Sequence, residues 1–151
     1  SRCRPYAGAA MTVTPYDALR RLRSMAATGE LDALCERHGV ELLVAHGSVL
    51  AAEPVRPARD LDLAFQFRHG IEPDVLALTN DLLQAARFDD VDLMDLQRAG
   101  PVARARALAP QSLPLYEASP GIFAEAQMAA LTTEMETRRL RRLDLELMAD
   151  R

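Results

Sequence analysis

The chain has no tryptophan, no lysine, two cysteines and few aromatic side chains. With four Phe and three Tyr in 151 residues, its core must be built largely from Leu, Ala, Val and Met. Every cation is an arginine, a usage that GC-rich coding produces without any functional demand. Cys3 and Cys35 are too few for a disulfide framework or a cysteine-rich metal site. Cys35 falls in a helical pattern and reads as a packed thiol, for which a reducing cytoplasm is the simplest setting. No apolar run approaches the roughly 18 residues of a membrane span. Ser1 to Ala10 lacks the apolar centre of a signal peptide. Met11 reads as a natural start, with residues 1–12 an unordered tail and 13–151 a single domain. A net charge of −4 leaves no bulk positive charge to drive direct nucleic-acid binding.

What remains is a soluble, globular composition with a real core. Thr14-Pro15 followed by Tyr16, Leu19, Leu22 and Met25 predicts a capped helix that Gly29 ends. Leu31, Leu34 and Cys35 predict a second helix, ended by Gly39. Val40 to Ala45 is almost wholly apolar and reads as an inner strand covered on both faces. Gly47-Ser48 turns the chain, with Ser48 expected to cap a short helix through Ala52. Pro54, Pro57, Arg56 and Arg59 mark a loop.

Asp60 to Phe67 then alternates, with Asp60, Asp62 and Ala64 on one face and Leu61, Leu63 and Phe65 on the other. Glu72-Pro73-Asp74 opens a helix to Ala86, and Val91 to Leu96 is a third strand. Ala103 to Ala109 reads as helical and Leu113 to Tyr116 as extended. Ser119-Pro120 is expected to cap a final helix about 45 Å long. Its seam of Phe123, Met128, Leu131, Met135, Leu140, Leu143 and Leu147 reads as core. Its excess length suits an interface. Arg138, Arg139, Arg141 and Arg142 read as a solvated face balanced by nearby acids.

Gly47-Ser48 at the end of one strand and Asp60-Leu61-Asp62 at the start of the next can meet only if the two strands run antiparallel. The following helix then supplies the crossover for a parallel third strand, which puts Asp92 at the same sheet end. Asp60 and Asp62 lie about 7 Å apart along one strand face. Such a carboxylate set suits Mg²⁺, which binds through a few carboxylates and substrate phosphates. Asp60, Asp62 and Asp92 would make a two-metal site, with Asp92 also placed to accept a proton from an attacking hydroxyl. Gly47 allows close approach of a phosphate, Ser48 offers a hydroxyl and amide groups, and Arg56 and Arg59 offer guanidinium contacts. His46 reads as a hydrogen-bonded, partly buried histidine. His38 and His69 read as surface residues, Asp89 and Asp90 as turn residues, and Asp95 as a cap or solvent-facing.

These motifs resemble the polymerase-β-like nucleotidyltransferase superfamily, most closely its minimal nucleotidyltransferase (MNT) members. The likeness is carried by Gly47-Ser48, Asp60-Leu61-Asp62, Val91-Asp92-Leu93-Met94-Asp95-Leu96, Ala99-Gly100-Pro101-Val102-Ala103-Arg104 and Leu115-Tyr116-Glu117. It spans roughly Leu31 to Glu117. The sequence departs from the family pattern in three places. The spacer between Ser48 and Asp60 has eleven residues, one more than is usual. Val49-Leu50-Ala51-Ala52 replaces the usual Arg and Gly. His46 stands where an aromatic such as Phe is common.

The resemblance implies an α/β (α+β) nucleotidyltransferase fold, a small mixed β-sheet flanked by helices with a long C-terminal helix. It implies an antitoxin of the MntA type, paired with a HEPN-domain toxin in a type VII-like toxin–antitoxin system. The activity it implies is Mg²⁺-dependent transfer of AMP from ATP to a tyrosine of that toxin. Two other readings stay open at this stage. One is transfer to a small hydroxyl compound such as an aminoglycoside, although such enzymes generally carry a further acceptor domain. The other is a degenerate antitoxin that acts by binding alone, which the changed Val49 to Ala52 segment favours.

Overall fold

The computed structural model describes residues 13–52 and 54–150; the tail expected over residues 1–12, with Cys3, lies outside them. The element order is α1 (Pro15–Thr28), α2 (Glu30–His38), β1 (Val40–His46), a single 3₁₀ turn (Ser48–Leu50), β2 (Leu61–Phe67), α3 (Val75–Ala86), β3 (Val91–Asp95), α4 (Pro101–Ala107), β4 (Leu113–Glu117) and α5 (Ile122–Ala149). Thr14 and Asp17 close a reciprocal capping box at the start of α1, and Pro15 occupies its first turn. Asp74 caps α3 by accepting from the Ala77 amide.

The strands form one sheet in the order β3-β2-β1-β4. β1 pairs antiparallel with both β2 and β4, and β2 pairs parallel with β3. The α3 crossover between β2 and β3 is what the parallel pair requires.

The apolar composition of β1 follows from its central place. Val40, Leu43 and Ala45 join one core cluster with Leu19, Leu22, Leu31, Leu78 and Leu82 of the helices on that face. Leu42 and Val44 join a second cluster with Ala107, Leu108 and Ala130 on the other. β2 alternates as its sequence predicts, sending Leu61, Leu63, Phe65 and Phe67 into the first cluster and Ala64 into the second. Phe65 and Phe67 meet edge to face with ring centroids 5.2 Å apart. Cys35 is buried in this cluster. Burial, with Asp32 and Glu36 nearby, pushes its thiol up to about 12, so it is unreactive at neutral pH.

Several expectations change. Leu113 to Tyr116 is more than an extended segment: it begins the fourth strand, hydrogen-bonded to β1. Ser119-Pro120 does not cap α5. Gly121 holds that position, and the Glu117 carboxylate accepts the Phe123 amide at 2.8 Å. The Leu-Tyr-Glu segment thus divides its work, with Leu115 and Tyr116 buried and Glu117 stapling the last helix to the sheet.

His38 is not a surface residue. Its ring is mostly covered and its Nε2 lies 2.6 Å from Asp81 on α3, which Arg37 also contacts. From Met128 outward the expected seam of α5 is not core: Met128, Leu131, Met135, Leu140, Leu143 and Leu147 are all exposed. No helix among the described residues is long and apolar enough to cross a membrane.

Candidate active site

The candidate site lies where β1 ends and β2 and β3 begin. Register places Asp62 beside His46 on one side and beside Asp92 on the other. Three residues far apart in sequence therefore form a row across the sheet. Asp60 sits one residue before β2 and is exposed, as is Asp92, while Asp62 is half-buried. Burial pushes the Asp62 carboxyl up from its ordinary 3.8 to about 6, and the Asp60 and Asp92 carboxylates add to the effect. The cluster is thus short of positive charge.

That deficit matches a hard divalent cation. Among the described residues, however, no group of three His, Cys, Asp or Glu forms a ready-made metal cage. The donor set fits Mg²⁺ as an ion that takes a few carboxylates and fills its remaining positions with water and phosphate oxygens.

Gly47 follows β1 with φ +85° and ψ −158°, a conformation open essentially to glycine alone. A Cβ there would fall 2.2 Å from Asp62 Oδ2. The glycine thus lets the turn close directly over the carboxylate. Ser48 does not cap a helix as expected. Gly47 is the cap residue, there is no side-chain capping bond, and only the 3₁₀ turn Ser48–Leu50 follows. A turn this short lacks the aligned dipole of a helix N-terminus, so Ser48 contributes an exposed hydroxyl and no helix-dipole site.

A cavity of about 480 Å³ opens beside this row. His46, Gly47, Asp62, Met94, Arg106 and Ser112 are among its walls, with Ala103, Ala109 and Gln111. Arg56 and Arg59, both exposed on the loop before β2, are not part of that lining. The cavity's cation is Arg106 of α4, which the sequence pattern marks only as part of a helix. Ser112 and Gln111 were also missed. The signal that could have found them is the pairing of β4 with β1: Leu113 lies opposite Ala45, which brings Ser112 to the His46 end of the sheet.

His46 differs from expectation as well. Its Nε2 is buried and has no hydrogen-bond partner among the described residues. Burial holds its pKa below the ordinary imidazole range while Asp92 pulls the other way, so the ring is neutral at pH 7. Asp95 behaves as expected, accepting the Gln97 amide in a turn.

The Asp62 shift carries a pH prediction. Between pH 4 and about 6 the unfolded chain has already released this proton and the folded protein still holds it. Stability without metal therefore falls as pH rises through that window. Thermal unfolding should show the decline, and Asp62→Asn should remove its share of it. Mg²⁺ should raise the melting temperature at pH 8 and have little effect at pH 5, where a proton competes for the same carboxylate.

No family model matches the sequence, and no curated protein sequence matches it. The fold does have solved counterparts. The chain is similar to one in a structure of a toxin–antitoxin with AMP-PNP, at 18% identity over 79% of this chain and 95% of that one, with a TM-score of 0.59. It is similar at 16% identity, over 84% and 98%, with a TM-score of 0.58, to one in a structure of a tri-AMPylated Shewanella oneidensis HEPN toxin in complex with MNT antitoxin. An MntA–HepT toxin–antitoxin structure gives 17%, 80% and 95%, and a TM-score of 0.55. At these identities the likeness establishes the fold alone, a mixed four-stranded sheet flanked by helices. The matches cover nearly the whole of the other chains and leave about a fifth of this one without a counterpart.

Proposed function

We propose that this chain is a nucleotidyltransferase of the antitoxin type, moving AMP from ATP to a tyrosine hydroxyl of a HEPN-domain toxin. The observation that carries the reading is the in-register pair Asp62 and Asp92 with Gly47 folded onto Asp62. The solved counterparts point the same way, since one contains AMP-PNP and another an AMPylated HEPN toxin.

In this reading Asp60, Asp62 and Asp92 hold Mg²⁺ together with water and the triphosphate. When bound, the ion favours ionisation of the attacking hydroxyl and offsets charge on the phosphates. The turn at Gly47 admits a phosphate close to the backbone, and the Ser48 hydroxyl is within the same turn. Arg106 supplies the guanidinium charge that the cavity itself presents. Arg56 and Arg59 can serve the triphosphate only from the loop side.

The tyrosine Oη forms a bond to the α-phosphorus as the bond to the bridging oxygen breaks and pyrophosphate leaves. Asp92, the more exposed of the strand aspartates, takes the hydroxyl proton.

Binding alone remains the rival mode, and Val49 to Ala52 is the segment that raises it, because Val49 is buried and cannot replace a phosphate-binding Arg. Calorimetry with Mg²⁺ and a non-hydrolysable ATP analogue separates the two. The proposal expects binding at micromolar to millimolar concentration, lost in Asp62→Asn. Absence of binding, with the toxin present as well, would leave an interaction module.

A further inference from the structure

The outer half of α5 has no partner within the chain. Its inner turns pack on the second core cluster through Ile122, Phe123, Ala126 and Ala130. From Leu131 to Ala149 no residue is buried, and about 28 Å of helix extends there. An amphipathic helix of this length without tertiary packing is marginal in water.

Six of its apolar residues fall into two stripes, while Leu145 and Met148, also exposed, lie outside them. Met128, Leu131 and Met135 form one stripe at spacings of three and four, and Leu140, Leu143 and Leu147 form another. All six are roughly half to three-quarters exposed. At 3.6 residues per turn the second stripe is rotated from the first by roughly a third of a turn, in the sense of the helix itself. A single straight partner lying alongside cannot cover both. Two helices that cross at an angle can, as in the common class of packing at about 50°.

The stripes are also complementary under a two-fold axis. With the axis between Thr137 and Arg138, an antiparallel second copy sets its Leu140 level with Met135 and its Leu147 level with Met128. Leu143 falls beside Leu131. Near the crossing point Glu136 comes level with the second copy's Arg139, and the symmetry makes this pair twice. A parallel arrangement would instead set Arg138, Arg139, Arg141 and Arg142 against their own copies. Met128 and Leu131 also wall an apolar groove of about 470 Å³ between α4 and α5, which gives the incoming Leu147 a place to bury.

We infer that the chain forms a homodimer through antiparallel crossing of its α5 helices, the first stripe of each copy covered by the second stripe of the other. The interface is isologous.

Sedimentation equilibrium of the full chain tests it. The expected result is a dimer at micromolar concentration. Leu140→Glu with Leu143→Glu should give a monomer that keeps the fold of the domain and loses at most the helix of the outer half of α5, since both side chains are exposed within one copy. Glu136→Arg or Arg139→Glu alone should weaken the dimer about tenfold through like-charge contact. The double variant Glu136→Arg/Arg139→Glu should restore it, because the pair is re-formed with its charges exchanged. A chain that stays monomeric, including one whose α5 captures a different protein, overturns the inference. So does a dimer that survives the leucine substitutions, or a charge exchange that fails to restore association.

Discussion

Asp62→Asn should reduce AMP transfer by roughly a hundred- to a thousandfold, the scale of losing one charge-stabilising group in a preorganised site. Asparagine nearly matches aspartate in shape, so the fold has no reason to change. Asp62 stands between His46 and Asp92 in the sheet and directly beneath the Gly47 turn. No other carboxylate holds that position. Its charge is kept close to two others despite burial, an arrangement that destabilises the empty protein and has a use only if a cation arrives. The same variant should therefore be at least as stable as the parent at pH 8 without metal, because a repulsion has been removed. Thermal unfolding reads the stability and transfer of labelled AMP reads the activity. Loss of both together would mean a folding defect, and retention of transfer would remove Asp62 from the chemistry.

Gly47→Ala should have the second largest effect. The backbone there lies in a region that L side chains avoid, at a cost of about 1–3 kcal/mol. The new methyl would also overlap the Asp62 carboxylate, whose Oδ2 lies 2.2 Å from the Cβ position. Either the turn opens or Asp62 swings away. A displacement of about 1 Å at a reacting centre can cost a hundredfold in rate, and a loss of that size is expected here. Gly70→Ala is the control. It has a similar φ of +83° but nothing within 4 Å of the added carbon. It should carry backbone strain and keep transfer. Equal activity in the two variants would show that the turn over Asp62 does not matter.

Much of this site was legible because it depends on local rules. A mostly apolar β1 followed by Gly-Ser, and an alternating β2 with Asp60 just before it and Asp62 within it, both state their faces directly. The α3 pattern between β2 and β3 then dictates a parallel pair and brings Asp92 level with Asp62. What was not legible depends on contacts distant in sequence. Arg106 reaches the cavity through the packing of α4 on β1 and Ser112 through the return of β4 beside β1, and a five-residue segment containing Pro114 gives a weak strand signal. The Ser48 turn fell short of a helix because Gly47, rather than Ser48, takes the cap position. His38 looked like a surface residue beside Gly39 until α3 packed Asp81 against it. The apolar spacing of α5 was read as core, since a periodic stripe carries no record of whether the domain is long enough to cover it.

The most direct measurement of the central claim is to incubate the chain with Mg²⁺, ATP labelled at the α-phosphate and a HEPN-domain toxin as acceptor. The account predicts label on a toxin tyrosine, released pyrophosphate, and no label with Asp60→Asn/Asp62→Asn. An unlabelled toxin that the chain nonetheless silences, equally well with both aspartates replaced, would contradict it.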